Sequence, residues 1–478
     1  MRTLLLVLAA GCGAAPKGQP VDSAEDAGPP AVLRSEDGRL LDADGRQVLL
    51  RGINARVDGL FDVTFDDGRV ALEEIPPFTR DDCGFLSREL GLNLLRLPVQ
   101  WSGIEPDAGS YDDDYLDRIG QLVDDCAAVG VVTIVDLHQD AYGKDIGEDG
   151  APLWAIVPAP PELLEGPLTS EELARRRLSG PVLAAFRSLY GDAALPSGRT
   201  LHQAHAQMAG RLAASLVDHP GAVALELHNE PVTLGDQTAL DAFHAASAAA
   251  VRGAHPTLPV VFEPDALRNL TDAAPVETPF PFANTIYGPH IYTDVFENGW
   301  ADEDTDAIRA SIAAAQDEAT AHGAHLFVGE FGNDPRTERG ALYIDTCLDA
   351  FDAHQASWAI WLYEEHSQDS WGLWDEGAEP HTRGSLREDA ADQLARPFPT
   401  AIDGQVEAIA WDGQTQTLTV SISGAGGGSH EVSAPLRTWP DGVAVTCDAV
   451  PVPEVEVADG RARFVCEGSE LRVFPADG

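Results

Sequence analysis

Short apolar runs alternate with segments of helical period from residue 48 to residue 362, and this alternation restricts the fold more than any other feature. Each connection between two runs can hold a helix, so neighbouring strands can lie parallel, and eight such units predict an α/β fold, a closed (β/α)8 barrel. An open doubly wound sheet would compete, but no glycine-rich phosphate turn follows the first strand. The predicted strands are 48–53, 92–97, 131–137, 222–228, 259–263, 284–290, 326–329 and 357–362.

The segments on either side of this repeat differ from it in pattern. Residues 33–51 have the pattern of a hairpin, with turn signals at Asp37-Gly38 and Asp44-Gly45. This segment could close the bottom of the barrel. After residue 398, short alternating runs separated by glycine- and aspartate-containing turns predict a small antiparallel β-sandwich. Its aromatic residues are few, so bracing the barrel is favoured over binding carbohydrate or lipid. The predicted domains are a barrel over 33–398 and a sandwich over 399–478.

The N-terminus has the order of an export signal. A basic start, Met1-Arg2, precedes an apolar run over 4–10 that is too short to span a bilayer. Small residues then lead into Cys12, and this order resembles a bacterial lipoprotein signal, with Ala9 standing where that pattern prefers Leu. The resemblance implies a signal over 1–11, lipidation of Cys12, and attachment to the cell surface or outer membrane. Residues 12–32 read as a flexible tether. Plain secretion is the alternative.

Charge and cysteine content exclude several classes of protein. A formal charge of −47 repels polyphosphate, so nucleic acid is not an expected partner. No CxxC pair or Cys/His cluster at metal spacing occurs, so we expect no metal and no cofactor. In an oxidising compartment, Cys447 and Cys466 on neighbouring predicted strands are a reasonable disulfide, and Cys83 with Cys126 could form a second. Cys347 would then be a buried thiol. We expect a monomer.

Polar side chains stand at the carboxyl ends of most predicted strands, the end that forms the active face of a barrel. A single glutamate at a strand end is more often a helix cap or a surface charge. The conjunction is more specific, because Glu230 and Glu330 close strands four and seven, on opposite sides of one pocket. The remaining candidates are Arg96 after strand two, Asp136, His138 and Gln139 after strand three, Asn229 after strand four, His290 and Tyr292 after strand six, and Trp361 at strand eight.

This constellation resembles glycoside hydrolase family five over roughly residues 48–365. Eight family positions find matches here: Arg96, His138, Asn229, Glu230, His290, Tyr292, Glu330 and Trp361. The resemblance implies that Glu230 is the acid/base and Glu330 the nucleophile of a retaining hydrolase. It also implies that Asn229 holds the sugar 2-hydroxyl, that His138 and His290 line the reacting subsite, and that Trp361 offers a stacking face.

The chemistry sets further conditions on the two glutamates. One must be protonated while the other is ionised, so their surroundings must separate their pKa values. Repulsion from Glu330 should favour protonated Glu230, while Tyr292 and Arg96 are placed to donate hydrogen bonds to the Glu330 carboxylate. A retaining mechanism further predicts carboxyl groups about 5–5.5 Å apart. Trp358, three residues before Trp361, is the better candidate for a core filler.

Short motifs favour one branch of that family. Asp136-Leu137-His138-Gln139-Asp140, Gly150-Ala151-Pro152-Leu153-Trp154, Trp371-Gly372-Leu373-Trp374 and Arg396-Pro397-Phe398-Pro399 look like those of endoglycoceramidases and related glycolipid hydrolases. The resemblance implies a glycolipid or oligosaccharide substrate, an apolar trough in the long loop after strand three, and sugar contacts by Asp136 and Gln139; Asp136 could equally orient a backbone turn. A β-glucanase or β-mannanase, and a glycan-binding protein without catalysis, are the alternatives.

Overall fold

The computed structural model describes residues 33–293, 295, 305–365, 371–379 and 381–476. Its centre is a closed barrel of eight parallel strands, and each strand pairs with its neighbours in chain order. The barrel predicted from the sequence is therefore confirmed, with strand ends moved by a few residues. Three short strands precede it: β1 (Arg34–Glu36), β2 (Arg39–Leu41) and β3 (Gln47–Val48). The barrel strands are β4 (Arg51–Asn54), β5 (Leu94–Gln100), β6 (Val132–His138), β7 (Ala222–Glu226), β8 (Val260–Phe262), β9 (Thr285–Tyr287), β10 (His325–Val328) and β11 (Ser357–Ile360).

Helices surround the barrel and cover the outward faces of its strands. In β5, Leu95, Leu97 and Val99 pack outward into the large core that the helices close. Helix starts carry side-chain caps, for example Asp112, which accepts from the backbone N–H of Tyr115. The described helices are α1 (Arg80–Arg88), α2 (Trp101–Ile104), α3 (Asp113–Ala127), α4 (Ser170–Arg176), α5 (Gly180–Tyr190), α6 (Leu201–Ser215), α7 (Gln237–Ala254), α8 (Ala266–Thr271), α9 (Asp306–His322), α10 (Glu338–His354) and α11 (Glu388–Leu394).

The barrel interior is built in two layers of opposite character. The lower layer is apolar and contains Leu94, Ile134, Ala224, Val261, Ile286, Phe327 and Ala359. Two residues further along a strand, the side chain again points inward, because successive side chains alternate between faces. At those positions stands a buried polar layer: Asn54, Arg96, Asp136, Glu226 and Glu263. The apolar layer seals the bottom, and the polar layer supports whatever lies above it.

The N-terminal strands close the bottom of the barrel, as predicted, and they also join the C-terminal domain. Leu40 and Val48 pack against the lower layer of the barrel interior. In the same seven-stranded sheet, β3 pairs with a strand of the C-terminal region, Ala401 opposite Val48. One sheet of the sandwich therefore contains strands from both sides of the predicted boundary at residue 398. Backbone pairing between segments so distant in sequence leaves no signal in either segment alone.

The remaining strands form the predicted antiparallel sandwich. A five-stranded sheet faces the seven-stranded one across a core that includes Phe398 and Trp439. Arg461 reaches from this domain into the barrel and donates to the carbonyls of Gly91 and Leu92, which supports a bracing role. The strands are β12 (Trp374–Glu376) and β13 (Arg383–Leu386), a separate hairpin, then β14 (Pro399–Ile402), β15 (Gln405–Asp412), β16 (Thr417–Ser423), β17 (Ser429–Ser433), β18 (Val443–Cys447), β19 (Val450–Pro451), β20 (Glu456–Ala458), β21 (Arg461–Val465) and β22 (Glu470–Pro475).

Two disulfides form as the sequence suggested. Cys447 pairs with Cys466 in the sandwich, and Cys83 pairs with Cys126 between α1 and α3. Cys347 is a buried thiol, and burial raises its pKa above the ordinary range. Among the described helices, none has the length and apolarity needed to cross a bilayer. The predicted signal, the tether and Cys12 lie outside the described residues.

Candidate active site

Arg96 is the centre of the polar layer. Its guanidinium donates to Glu226 Oε2 at 2.8 Å and Oε1 at 2.9 Å, and to Asn54 Oδ1 at 2.8 Å. It also donates to Asn229 Oδ1 at 2.8 Å and lies 3.0 Å from Asp136 Oδ2. A planar guanidinium with five N–H groups can hold this many partners in fixed directions. Arg96 thereby fixes the positions of strand ends from β4, β6 and β7 relative to one another.

Glu330, after β10, receives two of the hydrogen bonds predicted from the sequence. Arg96 Nη1 donates to its Oε1 at 2.8 Å, and the Tyr292 hydroxyl donates to its Oε2 at 2.8 Å. The side chain is 7% exposed. Donors on both oxygens, one of them a guanidinium, fix the orientation of the carboxyl group. The group therefore has a defined direction of attack.

Glu230, after β7, is held by a different set of contacts. Its backbone has φ +43°, an uncommon conformation for a residue other than glycine, and its N–H donates to Glu263 Oε2 at 3.1 Å. Its Oε1 lies 3.0 Å from His290 Nδ1 and accepts from Asn269 Nδ2 at 3.3 Å. Its Oε2 lies 3.9 Å from Arg177 Nη1. The side chain is 18% exposed, more than Glu330, and faces the open side of the pocket.

The two glutamates are close enough for a retaining mechanism. One oxygen of each lies within 4.8 Å of the other, and both approach the ring of His290. His290 Nδ1 is 3.0 Å from Glu230 and 3.5 Å from Glu330. Carboxyl groups of inverting enzymes stand about 6.5–9.5 Å apart, to leave room for a water molecule. Two oxygens within 4.8 Å of each other are compatible with the shorter spacing of about 5–5.5 Å between carboxyl groups that direct nucleophilic attack requires.

The pKa of Glu230 differs from the one that the sequence predicted. Repulsion from Glu330 should raise its pKa, but the pKa of Glu230 is lowered. Burial acts to raise it, and this effect is outweighed by the hydrogen bond and charge of His290, with a further contribution from Arg177. The proximity of a second carboxylate does not by itself decide the protonation state of the first.

A second carboxyl pair lies below the catalytic candidates. Burial would raise the pKa of Glu226, but the charge and hydrogen bonds of Arg96 lower it to about 2. Glu263 lies farther from Arg96, with its Oε1 3.7 Å from Nη2, and its pKa is raised well above the ordinary range by burial and by the charge and hydrogen bond of Glu226. Glu263 is thus held protonated as a donor to Glu226, while its Oε2 accepts from the backbone of Glu230.

This pair predicts the pH dependence of a single substitution. The raised pKa of Glu263 means that its contribution to stability is full at low pH and is lost as pH rises above the ordinary carboxyl value. Glu263→Gln keeps a neutral donor, so we expect its melting temperature to gain on the wild type progressively from pH 4 to pH 8. Glu226→Gln is the matched control, because it removes the charge of a carboxylate that accepts two hydrogen bonds from Arg96. We expect it to lower the free energy of unfolding by about 3–5 kcal/mol. Thermal unfolding across this pH range measures both variants. The same loss of melting temperature at every pH in the two variants would contradict the raised pKa of Glu263.

The predicted sugar contacts of Asp136 and Gln139 are not supported. Asp136 is fully buried, and its carboxylate binds Arg96 and His138 Nδ1, the latter at 2.6 Å. The Gln139 amide donates to the carbonyls of Asn229 and Glu230 and accepts from the backbone of Tyr142. Both side chains therefore support the site from below. A sequence motif identifies such residues but does not reveal which way their polar atoms face.

The remaining predicted residues converge on the same pocket. The ring of His138 stacks on Trp361, with centroids 5.6 Å apart and planes 8° from parallel. Trp361 is partly exposed, whereas Trp358 is buried against Phe331, as expected of a core filler. Asn229 uses its Oδ1 on Arg96 and its amide nitrogen on the Gln139 carbonyl. All eight positions of the family resemblance thus lie on one face of the barrel.

Several residues of the site were not singled out from the sequence. Asn54, Glu226 and Glu263 belong to the polar layer. Every second residue of a strand points into the barrel, and marking those positions along each strand would have identified all three. Asn269 and Arg177 come from irregular segments and carry no such signal. Among the described residues, three groups of His and carboxylates could geometrically hold an ion, one of them Glu226 with Glu263 and His290. The expectation of no metal stays a prediction.

The barrel, with paired glutamates after its fourth and seventh strands, defines the class of protein as a glycoside hydrolase. Residues 41–367 match the family model described as Cellulase (glycosyl hydrolase family 5). The chain belongs to that family.

Relatives within the family act on glycolipids according to their names. The chain is 29% identical over 281 residues to endoglycoceramidase I of Rhodococcus hoagii (strain 103S), which is 55% of this chain and 53% of that protein. It is 30% identical over 150 residues to the ergosteryl-beta-glucosidase of Saccharomyces cerevisiae, 27% of this chain and 19% of that protein. The chain thus spans about half the length of the first relative and less of the second. A crystal structure of an endogalactoceramidase matches with a TM-score of 0.76 and 26% identity, over 93% of this chain and 100% of that one.

Proposed function

We propose that this protein is a retaining β-glycoside hydrolase that cleaves the bond between sugar and lipid in glycolipids. The observation that carries the proposal is the facing pair Glu230 and Glu330, with oxygens within 4.8 Å of each other and with different hydrogen-bond partners. Glu330 accepts hydrogen bonds from Arg96 and Tyr292, one on each oxygen. Glu230 is more exposed and reaches the side on which a leaving group would depart.

The first half of the reaction uses both groups at once. A Glu330 oxygen attacks the anomeric carbon, and the bond from that carbon to the glycosidic oxygen breaks. Glu230 gives its proton to the departing oxygen, so the lipid leaves as an alcohol and the sugar remains as an ester of Glu330. The negative charge of Glu330 is consumed in the new bond. Because Arg96 and Tyr292 bond different oxygens of Glu330, one of them then donates to the ester oxygen that does not carry the sugar.

The second half reverses the roles. Glu230, now a carboxylate, takes a proton from water as the water oxygen attacks the anomeric carbon, and the ester bond to Glu330 breaks. Two displacements return the sugar with its original configuration. The lowered pKa of Glu230 suits this step, in which a base is needed.

Glu230 must be protonated before the first half. An aglycone lying over the exposed part of its side chain removes water from that carboxyl, and burial is the effect that raises its pKa. Substrate binding and proton uptake by Glu230 are therefore coupled in this proposal.

The surroundings of Glu230 support an apolar leaving group. Leu178 follows Arg177 and is 75% exposed, and Leu234 is 59% exposed on the segment just after Glu230. Leu267 and Leu270 are exposed on α8, the helix that carries the Glu230 partner Asn269. Exposed apolar side chains on the segments that carry Glu230 and its partners favour a lipid rather than a hydrated polysaccharide chain. The names of the relatives agree with this choice.

The test compares glycolipid and polysaccharide with one preparation of the enzyme. Micellar glucosylceramide and a ganglioside should release glucose or oligosaccharide together with free lipid, detected by mass spectrometry. Leu178→Ser should lower kcat/KM on these micelles several-fold, because removal of one exposed leucine weakens apolar contact by roughly 1–2 kcal/mol. It should leave a water-soluble aryl β-glucoside unaffected, which serves as the control. Cleavage of β-glucan alone would favour a glucanase, and no cleavage at all would favour a glycan-binding protein.

We further propose that the protein is exported and held at the cell surface through Cys12. The two disulfides support an oxidising compartment, since such bonds persist outside the reducing cytosol. The order of residues 1–12 supports the lipid anchor over plain secretion. Release of the protein into the medium by Cys12→Ser, in a host that processes lipoproteins, would agree with this assignment; unchanged membrane association would not.

A further inference from the structure

A cavity of about 730 Å³ lies beside the catalytic pocket and is not used by the reaction described above. Its lining includes Phe61, and the ring of Phe61 lies 5.7 Å, centroid to centroid, from His138. The cavity therefore begins one aromatic side chain away from the reacting subsite. Its volume is within the range of about 300–1,000 Å³ that ligand pockets occupy.

The position of this cavity indicates which part of a substrate it can reach. Its lining comes from the loops after β4, β5 and β6, together with His381. Among the described lining residues, none follows β7 to β10, the strands that precede Glu230, Glu263, His290 and Glu330. The leaving group must lie on the Glu230 side. A ligand in the cavity therefore belongs to the sugar side of the scissile bond.

The charge of the lining is strongly one-sided. Nine carboxylates line the cavity, against Arg69, Lys144 and His381. Each of these three basic side chains already has a carboxylate partner: Lys144 pairs with Asp62, Arg69 with Asp145 at 2.6 Å, and His381 with Glu74 at 3.4 Å. A carboxylate or sulfate entering the cavity would meet excess negative charge and would have to break an existing ion pair to find a cation.

A neutral sugar meets the opposite conditions. Carboxylates accept hydrogen bonds from hydroxyl groups, and the exposed lining residues Pro106 and Leu153 supply apolar surface for sugar rings. The cavity thus offers acceptors and ring contacts but no unengaged cation among its lining residues.

We propose that this cavity, the acidic pocket, binds the sugars beyond the reacting one and selects neutral glycans over glycans that carry carboxylate or sulfate. The proposal rests on the hydrolase function proposed above and specifies its substrate class. It predicts an enzyme that removes neutral oligosaccharides, and works poorly when an acidic sugar occupies the acidic pocket.

The test uses soluble substrates that share one aryl leaving group and one reacting glucose: a β-glucoside, a β-lactoside, a neutral trisaccharide and a sialyl-lactoside. We expect kcat/KM to rise about tenfold from the glucoside to the lactoside, and to be about tenfold lower for the sialylated than for the neutral trisaccharide. High salt should narrow the second difference, because salt screens exposed charges. Equal values for glucoside and lactoside, or for the two trisaccharides, would overturn the proposal.

A charge-reversal pair makes the test specific to the acidic pocket. Asp66 lines the pocket and is exposed, and Asp441 is an exposed carboxylate of the C-terminal domain. Asp66→Lys should raise the ratio of kcat/KM for the sialylated substrate to kcat/KM for the neutral trisaccharide several-fold. Asp441→Lys changes the net charge equally and should leave that ratio unchanged. An equal gain in both variants would assign the effect to net charge and overturn the proposal. Failure to hydrolyse even the aryl glucoside would instead refute the hydrolase function itself, and with it this inference.

Discussion

Glu330→Gln should abolish turnover of glycolipid and aryl glycoside alike, with a loss in kcat of about four orders of magnitude or more. The amide cannot form the ester intermediate, and it places no negative charge against the anomeric carbon in the transition state. Glutamine has nearly the same shape and can still accept from Tyr292, so the fold should persist. Steady-state kinetics with both kinds of substrate, together with thermal unfolding of the same sample, measure the two effects.

The matched control for this variant is Glu338→Gln. Glu338 is exposed in the first turn of α10, on the same segment of the chain but outside the pocket. We expect its activity to equal that of the wild type. Activity of Glu330→Gln within tenfold of the wild type would show that Glu330 is not the nucleophile, whatever its place in the barrel.

Glu230→Gln should produce a loss that depends on the leaving group. A lipid alcohol is a poor leaving group and needs a proton, so kcat on glycolipid should fall by about 10²–10⁴-fold. A dinitrophenyl glycoside departs without protonation, so formation of its intermediate should be far less affected. Its turnover should then be limited by attack of water, which lacks a base, and the intermediate should accumulate. A pre-steady-state burst of phenolate detects that accumulation.

An added small anion distinguishes this role from a loss of folding. Azide or formate needs no deprotonation and can attack the accumulated ester, so either should restore turnover of the dinitrophenyl glycoside by Glu230→Gln. Neither should restore Glu330→Gln, which forms no ester. An equal loss on good and poor leaving groups, without rescue, would mean that Glu230 does not act as the acid/base.

The barrel could be predicted from the sequence because its strands are marked by a local signal. Each apolar run is flanked by a helical segment, and the polar residue at its end falls on the active face by the geometry of parallel strands. That rule places Glu230, Glu330 and His290 in one pocket without knowledge of any contact. The two disulfides followed from similar reasoning about neighbouring elements.

Other features depend on contacts that no single segment records. The pairing of β3 with β14 joins residues 47–48 to 401–402, and the sequence offers no sign of this partner. The lowered pKa of Glu230 results from the balance of burial against His290 and Arg177, which only the geometry reveals. Gln139 is a similar case, since its amide faces the backbone of residues 229–230 and not the pocket.

The anomeric configuration of the first product distinguishes two displacements through Glu330 from a single displacement by water. Proton NMR can follow hydrolysis of an aryl β-lactoside in real time, before the anomers of free lactose equilibrate. Two displacements through a Glu330 ester predict that β-lactose appears first and that the α-anomer grows later by mutarotation. Initial appearance of α-lactose would demonstrate a single displacement by water and would contradict the roles assigned to Glu230 and Glu330.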